Sequence, residues 1–120
     1  MDIYRELILD HYKHPRNFGE LEVFDVEASE NNVTCGDRIV MQIKISTKNT
    51  IEAIRFYGEG CAINQAAASM LTEKVLDMNI NDVLKLESQD IFEMLGTELT
   101  PSRVKCAVLP LEVLQKAATM

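Results

Sequence analysis

Three cysteines and one aspartate are the residues of this 120-residue chain whose types and surroundings could do chemistry together. Cys35 lies in TCGD, and in an extended chain its thiol and the Asp37 carboxylate, two residues on, project from the same face. Cys61 lies in GEGCA at the start of a predicted helix, where unpaired N–H groups and the helix dipole favour a thiolate. Cys106, in RVKCAVLP, has basic neighbours that act in the same direction. Three thiols and a carboxylate form a four-ligand set suited to zinc or to an iron–sulfur centre.

Other interpretations of the thiols stay open at the level of the sequence. Free cysteine is among the most buried residue types, so each thiol taken alone could be inert packing. An odd number of cysteines cannot pair completely, and their wide separations match no compact zinc-finger pattern. His11 and His14 could also ligate a metal, although a helix-terminal histidine and a capping cluster explain them equally well. The cues around all three cysteines together favour a ligand set over packing.

The composition limits the classes of partner. A net charge of -7, with no lysine or arginine cluster longer than a pair, argues against nucleic acid. Charges interrupt the amino-terminal apolar segment, and no later segment approaches the about 20 apolar residues that a membrane span requires. We therefore predict a cytoplasmic protein with protein or cation partners, in a reducing compartment that keeps the cysteines as thiols or metal ligands.

The periodicity of the chain predicts an α+β fold with a small antiparallel sheet, in one domain covering residues 1–120. A first helix is predicted over residues 2–13, with an apolar stripe of Ile3, Tyr4, Leu7 and Ile8 that His11 completes. Strands are predicted in LEVFDVEA, RIVMQIKIS and IEAIRFYG. A long helix is expected to begin at or just after Cys61, and shorter ones in NINDVLKL and DIFEMLG. The last helix is predicted to open at Thr100 and to kink or restart at Pro110, because proline cannot donate to the carbonyl four residues earlier.

Four blocks of the sequence carry a family resemblance: DHYKHPRNFG, TCGDRI, GEGCAINQAAASMLTE and RVKCAVLP. In this order they resemble the IscU/SufU/NifU-amino-terminal family of iron–sulfur cluster assembly proteins over nearly the whole chain. The resemblance implies a three-stranded sheet packed against several helices, and a site formed by Cys35, Asp37, Cys61 and Cys106. It also implies a scaffold and carrier rather than an enzyme.

Such a scaffold accepts sulfur from a cysteine desulfurase, builds a labile [2Fe–2S] cluster and passes it to apo iron–sulfur acceptor proteins. Several members of the family hold Zn²⁺ at the same site. Because basic residues near Cys106 favour its thiolate, we take Cys106 as the candidate for first accepting persulfide sulfur.

Two departures from the family pattern leave its branches open. The IscU branch has a ligating histidine where this chain has Lys105, and SufU-like members also have a basic residue there. SufU-like members, however, carry an insertion between the second and third cysteines that is absent here. The alternative function is therefore a SufU-like zinc-dependent sulfurtransferase. The second departure is LTPSR, which replaces the Leu-Pro-Pro-Val-Lys chaperone-recognition stretch of the IscU branch and puts binding to an Hsp70-type chaperone in question.

Overall fold

The computed structural model describes residues 3–34 and 36–120, so Cys35 lies outside the described residues. Within these ranges it confirms the predicted α+β class, with a three-stranded antiparallel sheet and five helices. None of the helices in the described ranges is both long and apolar enough to cross a membrane. The elements in chain order are α1 (Ile3–Lys13), β1 (Val26–Asn32), β2 (Asp37–Ile45), β3 (Ile51–Glu59), α2 (Ala62–Val75), α3 (Ile80–Val83), α4 (Ser88–Leu95) and α5 (Pro101–Ala118).

The central strand β2 supplies much of the core. The sheet order is β1-β2-β3, and Met41 in β2 pairs with Ala28 on one side and Phe56 on the other. Ile39, Met41 and Ile43 are fully buried, as their alternation predicts. Helix α5 packs on β1 and β2, while α2 packs on β3 and on α5. This packing holds the beginning of β2 close to both long helices.

The first strand lies further along the chain than the sequence predicts. LEVFDVEA predicts a strand over residues 21–28, whereas β1 covers Val26–Asn32. The backbone N–H of Leu21 donates instead to the side chain of Gln42 at 2.7 Å, ahead of the regular pairing. Because β1 is largely polar and buries a single side chain, its position depends on pairing with β2 and not on a hydrophobic pattern of its own.

The last helix continues through its internal proline. Helix α5 is unbroken from Pro101 to Ala118, so the predicted restart at Pro110 is wrong. The carbonyl of Cys106, to which Pro110 cannot donate, accepts a hydrogen bond from Asn64 Nδ2 at 3.1 Å. The helix tolerates the proline here because α2 supplies the missing donor.

The apolar stripe of α1 is buried only in part. Ile8 and His11 are buried in the contact with α2, whereas Ile3, Tyr4 and Leu7 remain substantially exposed. The stripe drawn from helical spacing is therefore wider than the face that α2 covers.

His11 joins the segment DHYKHPRN to α2. Its Nδ1 atom lies 2.8 Å from the Ser69 hydroxyl, which also accepts the backbone N–H of Arg16 at 2.8 Å. The other ring nitrogen lies 3.6 Å from the Glu73 carboxylate, and Arg16 pairs with Asp10 at 2.6 Å. These contacts give His11 a structural role in the packing of α1 on α2.

Acid is expected to weaken this packing. Burial lowers the pKa of His11 below its ordinary value of 6.5, and Arg16 acts in the same direction against the opposing charges of Glu73 and Asp10. The unfolded chain therefore binds the proton more readily than the folded chain. The contribution of His11 to stability is complete above a pH of about 6.5 and is lost as the pH falls below it.

The measurement is urea unfolding across this pH window, for the unchanged chain and for His11→Gln. In the variant, the free energy of unfolding should fall less toward low pH than it does in the unchanged chain. An identical decline in both proteins would assign the acid sensitivity to other groups.

Candidate metal and sulfur site

Asp37 is the first residue of β2 and lies at the edge of the core. Gly36 directly before it has a φ of 72°, a left-handed conformation that glycine adopts without a steric penalty. Asp37 is only 2% exposed, and its Oδ1 accepts the backbone N–H of Cys61 at 3.2 Å. Its Oδ2 is buried with no hydrogen-bond partner among the described residues. A buried carboxylate oxygen without a partner is costly, and it marks a place where a cation could bind.

Cys61 is the N-cap of α2, as the sequence predicts. Its φ and ψ of -70° and 170° are extended, and its side chain makes no capping hydrogen bond. Other groups pack closely against the chain just before it, since a side chain on Gly60 would overlap Asn64 Oδ1 and approach Asp37 Oδ1 to 3.0 Å. The thiol therefore stands, partly exposed, at the positive end of the helix dipole.

Cys106 lies in the second turn of α5 and is 3% exposed. Its S–H donates to the carbonyl oxygen of Ser102 one turn earlier, with 3.7 Å between Sγ and O. The two basic neighbours in the sequence lie in different places. Arg103 lines the depression beside the thiols, whereas Lys105 lines a separate one with residues 31–33 at the end of β1.

The structure brings three of the four predicted site residues together. One donor atom from each of Asp37, Cys61 and Cys106 lies within 4.8 Å of the others, and Cys35 lies outside the described residues. Within the described ranges this is the one cluster of at least three ligand-type side chains, and neither histidine belongs to it. A depression of about 190 Å³ beside the cluster is lined by Cys61, Ser102, Arg103 and Cys106. Two thiols and a carboxylate this close together can bind a metal, and thiols can exchange sulfur.

Three residues around the site were not singled out from the sequence. Gly60 allows the close approach of Asp37 and Asn64, and Ser102 supplies a carbonyl to Cys106. Asn64 is completely buried and bonds the Cys106 carbonyl. Only Asn64 carries a sequence signal, because an amide is unusual on the buried face of an alanine-rich helix.

Gly60→Ala is expected to weaken metal binding and to destabilise the fold by about 1–3 kcal/mol, the usual cost of forcing a methyl group into a packed site. The added Cβ would overlap Asn64 Oδ1, and neither Asn64 nor Asp37 can move without losing a buried hydrogen bond. Chelator competition measures the Zn²⁺ affinity, and urea unfolding of the metal-free protein measures the stability. A Zn²⁺ affinity and a stability equal to those of the wild type would mean that the backbone around Gly60 adapts to a side chain.

Comparison with known protein families identifies the family to which this chain belongs. The family model described as "NifU-like N terminal domain" matches residues 3–120. The chain therefore belongs to the family of NifU-like N-terminal domains.

The relatives in this family include both types of protein that the motifs resemble. The chain is 42% identical to the iron-sulfur cluster assembly scaffold protein IscU of Aquifex aeolicus, over 95% of this chain and 73% of that protein. It is 35% identical to the zinc-dependent sulfurtransferase SufU of Bacillus subtilis, over 95% of this chain and 88% of that protein. The SufU alignment spans 131 residues, more than the 120 of this chain, in agreement with an insertion that this chain lacks.

Solved structures share the fold. A crystal structure of a hypothetical protein is 29% identical and superposes with a TM-score of 0.81, covering 98% of both chains. A protein of Fervidobacterium islandicum AW-1, assigned to the SUF system as an iron-sulfur cluster assembly scaffold, is 24% identical. It has the same TM-score of 0.81 over 94% of both chains, and this likeness concerns the fold alone.

Proposed function

We propose that this protein is an iron–sulfur cluster assembly scaffold, which holds a [2Fe–2S] cluster as cargo on Cys35, Asp37, Cys61 and Cys106. The observation that carries the proposal is the meeting of Asp37, Cys61 and Cys106 within 4.8 Å, with one Asp37 oxygen buried and unpartnered among the described residues. Thiolates are the ligands that iron–sulfur clusters and zinc prefer. Cys35 completes the set by its position two residues before Asp37.

Asp37 makes the proposed cargo site suited to release. A carboxylate binds iron less covalently than a thiolate does, so a cluster with one oxygen ligand exchanges more readily than one with four sulfur ligands. The Cys61 N–H that bonds Oδ1 also competes with a metal for the electrons of this carboxylate. Ready exchange is what a donor of clusters to apo acceptor proteins requires.

Cys106 is the proposed entry point for sulfur. Its thiolate attacks the terminal sulfur of a persulfide on a cysteine desulfurase, so that a new S–S bond forms at Cys106 and the donor cysteine leaves as a thiolate. The transfer moves one sulfur atom without net oxidation. The sulfur then needs two electrons to become sulfide, which an added reductant supplies in an assay. Arg103, beside the same depression, favours the anionic thiolate and persulfide.

The second candidate function is a zinc-dependent sulfurtransferase that uses the same four residues. Two observations favour it: the 35% identity to SufU, and a lysine at position 105, which cannot ligate while protonated. In this case Cys35, Asp37, Cys61 and Cys106 would hold Zn²⁺, which would keep the thiols deprotonated, and one of these thiolates would accept sulfur. The lack of an insertion between Cys61 and Cys106, and the 42% identity to the IscU of Aquifex aeolicus, favour the scaffold.

The partners in this proposal are a cysteine desulfurase and apo iron–sulfur proteins, in the cytoplasm, and residues 1–120 act as one domain. A charge of -7 makes nucleic acid a poor partner. The LTPSR stretch at the start of α5 keeps only the leucine, one proline and a final basic residue of the chaperone-recognition sequence, so an Hsp70-type chaperone is a doubtful partner.

The test is an anaerobic reconstitution. Bound zinc and iron are determined in the purified protein, and its cysteine desulfurase, cysteine, Fe²⁺ and a reductant are then added while the visible spectrum is recorded. Sulfide-to-iron absorption with about two iron and two sulfide per site supports the scaffold. Retained stoichiometric zinc, no cluster bands and faster desulfurase turnover would instead establish the sulfurtransferase.

A further inference from the structure

We propose that Asn64 is a positioning residue for Cys106, whose side chain replaces the backbone N–H that Pro110 cannot donate. The proposal rests on the proposed function in one respect, namely that Cys106 belongs to the site. Asn64 on α2 and Pro110 on α5 together determine which donor bonds the backbone carbonyl of Cys106.

The hydrogen bonding of α5 requires a substitute donor at this point. In a regular helix the N–H of residue 110 would bond the carbonyl of residue 106, and proline has no N–H. Asn64 Nδ2 lies 3.1 Å from that carbonyl, and Asn64 is completely buried. A buried carbonyl without a donor would destabilise the turn, so the amide of Asn64 stabilises the backbone where Cys106 is attached.

The orientation of the Asn64 amide is fixed at both ends. Its Oδ1 accepts a hydrogen bond from Gln65 Nε2 at 3.1 Å, which leaves Nδ2 as the donor to Cys106. The same Oδ1 lies so close to Gly60 that a side chain there would overlap it. Asn64 therefore lies against Gly60, just before Cys61, and also contacts the backbone of Cys106.

Through Asn64, the positions of the Cys61 and Cys106 thiols depend on each other. The S–H of Cys106 donates to the Ser102 carbonyl one turn earlier. The backbone carbonyl of Cys106 accepts a hydrogen bond from Asn64. Without Asn64, the Cys106 carbonyl must find another donor, and α5 can shift relative to α2. Such a shift would change the spacing of Cys106 from Cys61 and Asp37, on which shared ligation depends.

The experiment is a cycle of Asn64→Ala, Pro110→Ala and the double variant, with Zn²⁺ as the probe. Asn64→Ala is expected to lower the Zn²⁺ affinity about tenfold or more, as loss of a residue that orients a metal ligand does. Pro110→Ala restores the helical N–H, so it should leave the affinity close to that of the unchanged chain. In the double variant the loss caused by Asn64→Ala should be largely rescued.

A second readout does not depend on metal. In the metal-free protein, the carbonyl ¹³C resonance of Cys106 should move when Asn64 is replaced and return when Pro110 is replaced as well. If Asn64→Ala does not fold, Asn64→Leu keeps the branching of the side chain without its donor and replaces Asn64→Ala in the cycle.

Equal losses of Zn²⁺ affinity on replacing Asn64, with Pro110 present and with Pro110→Ala, would overturn the proposal, and so would an unchanged carbonyl resonance. Failure of the wild-type protein to bind Zn²⁺ or a cluster would contradict the proposed function instead. The carbonyl resonance would still decide the role of Asn64 in that case.

Discussion

Cys106→Ser is expected to reduce sulfur transfer from a cysteine desulfurase to this protein by about 10³-fold or more, the scale on which loss of a nucleophile acts. A serine hydroxyl stays protonated at neutral pH and cannot attack a persulfide as a thiolate does. The substitution preserves shape, and the hydroxyl can still donate to the Ser102 carbonyl that Cys106 now bonds. The measurement is the amount of persulfide on this protein, by mass spectrometry, after incubation with desulfurase and cysteine.

Cys61→Ser is the matched control for this result. It removes a thiol from the same depression but leaves Cys106 and its contact with Ser102 in place. Persulfide should still form on Cys106 in this variant. Normal transfer to Cys106→Ser, or equal losses in both variants, would contradict the proposed role of Cys106.

Asp37→Ala is expected to lower Zn²⁺ affinity by about tenfold or more, because a ligand and not only its orientation is lost, and to change the lifetime of a reconstituted cluster. The metal-free fold should change little in stability. The variant loses a hydrogen bond to the Cys61 N–H, which costs about 1 kcal/mol. It also removes a buried carboxylate oxygen that has no partner among the described residues, which offsets part of that cost.

Asp37→Asn separates the two roles of this side chain. The amide oxygen can still accept the Cys61 N–H, whereas the charge that would attract a cation is gone. Metal affinity should therefore fall in Asp37→Asn nearly as far as in Asp37→Ala. Chelator competition measures the affinity, and thermal unfolding of the metal-free proteins measures the stability. Wild-type affinity in Asp37→Asn, with a collapse of stability in Asp37→Ala, would make Asp37 a structural turn residue.

Much of the fold could be predicted from the sequence because its signals are local. The alternation of Ile39, Met41 and Ile43 predicts β2, and Thr100 followed by proline predicts the start of α5. Gly96 ends α4 with a φ of 67°, as expected of a glycine after a run of helix formers. Each of these signals depends on neighbours within one or two turns of the chain.

The errors have the opposite cause. β1 is a polar strand whose position is set by pairing with β2. No alternation of apolar and polar residues in Val26–Asn32 predicts it. The apolar stripe of α1 follows helical spacing, but how much of it is buried depends on how α2 packs against α1. Pro110 predicts a kink or a restart of α5 on local grounds, and the restart is absent because a side chain of another helix satisfies the freed carbonyl.

The candidate site divides in the same way. The sequence by itself determined which residues could ligate, since Cys35, Asp37, Cys61 and Cys106 have the right chemistry and stand beside turns and helix starts. Only the tertiary structure decided that Asp37, Cys61 and Cys106 meet, that Arg103 and not Lys105 lines the depression beside the thiols, and that Asn64 bonds the Cys106 carbonyl. The physical reason is that side-chain chemistry and local backbone preference belong to short segments. Contact between β2, α2 and α5 is set by the burial of the shared core, which joins residues far apart in the chain.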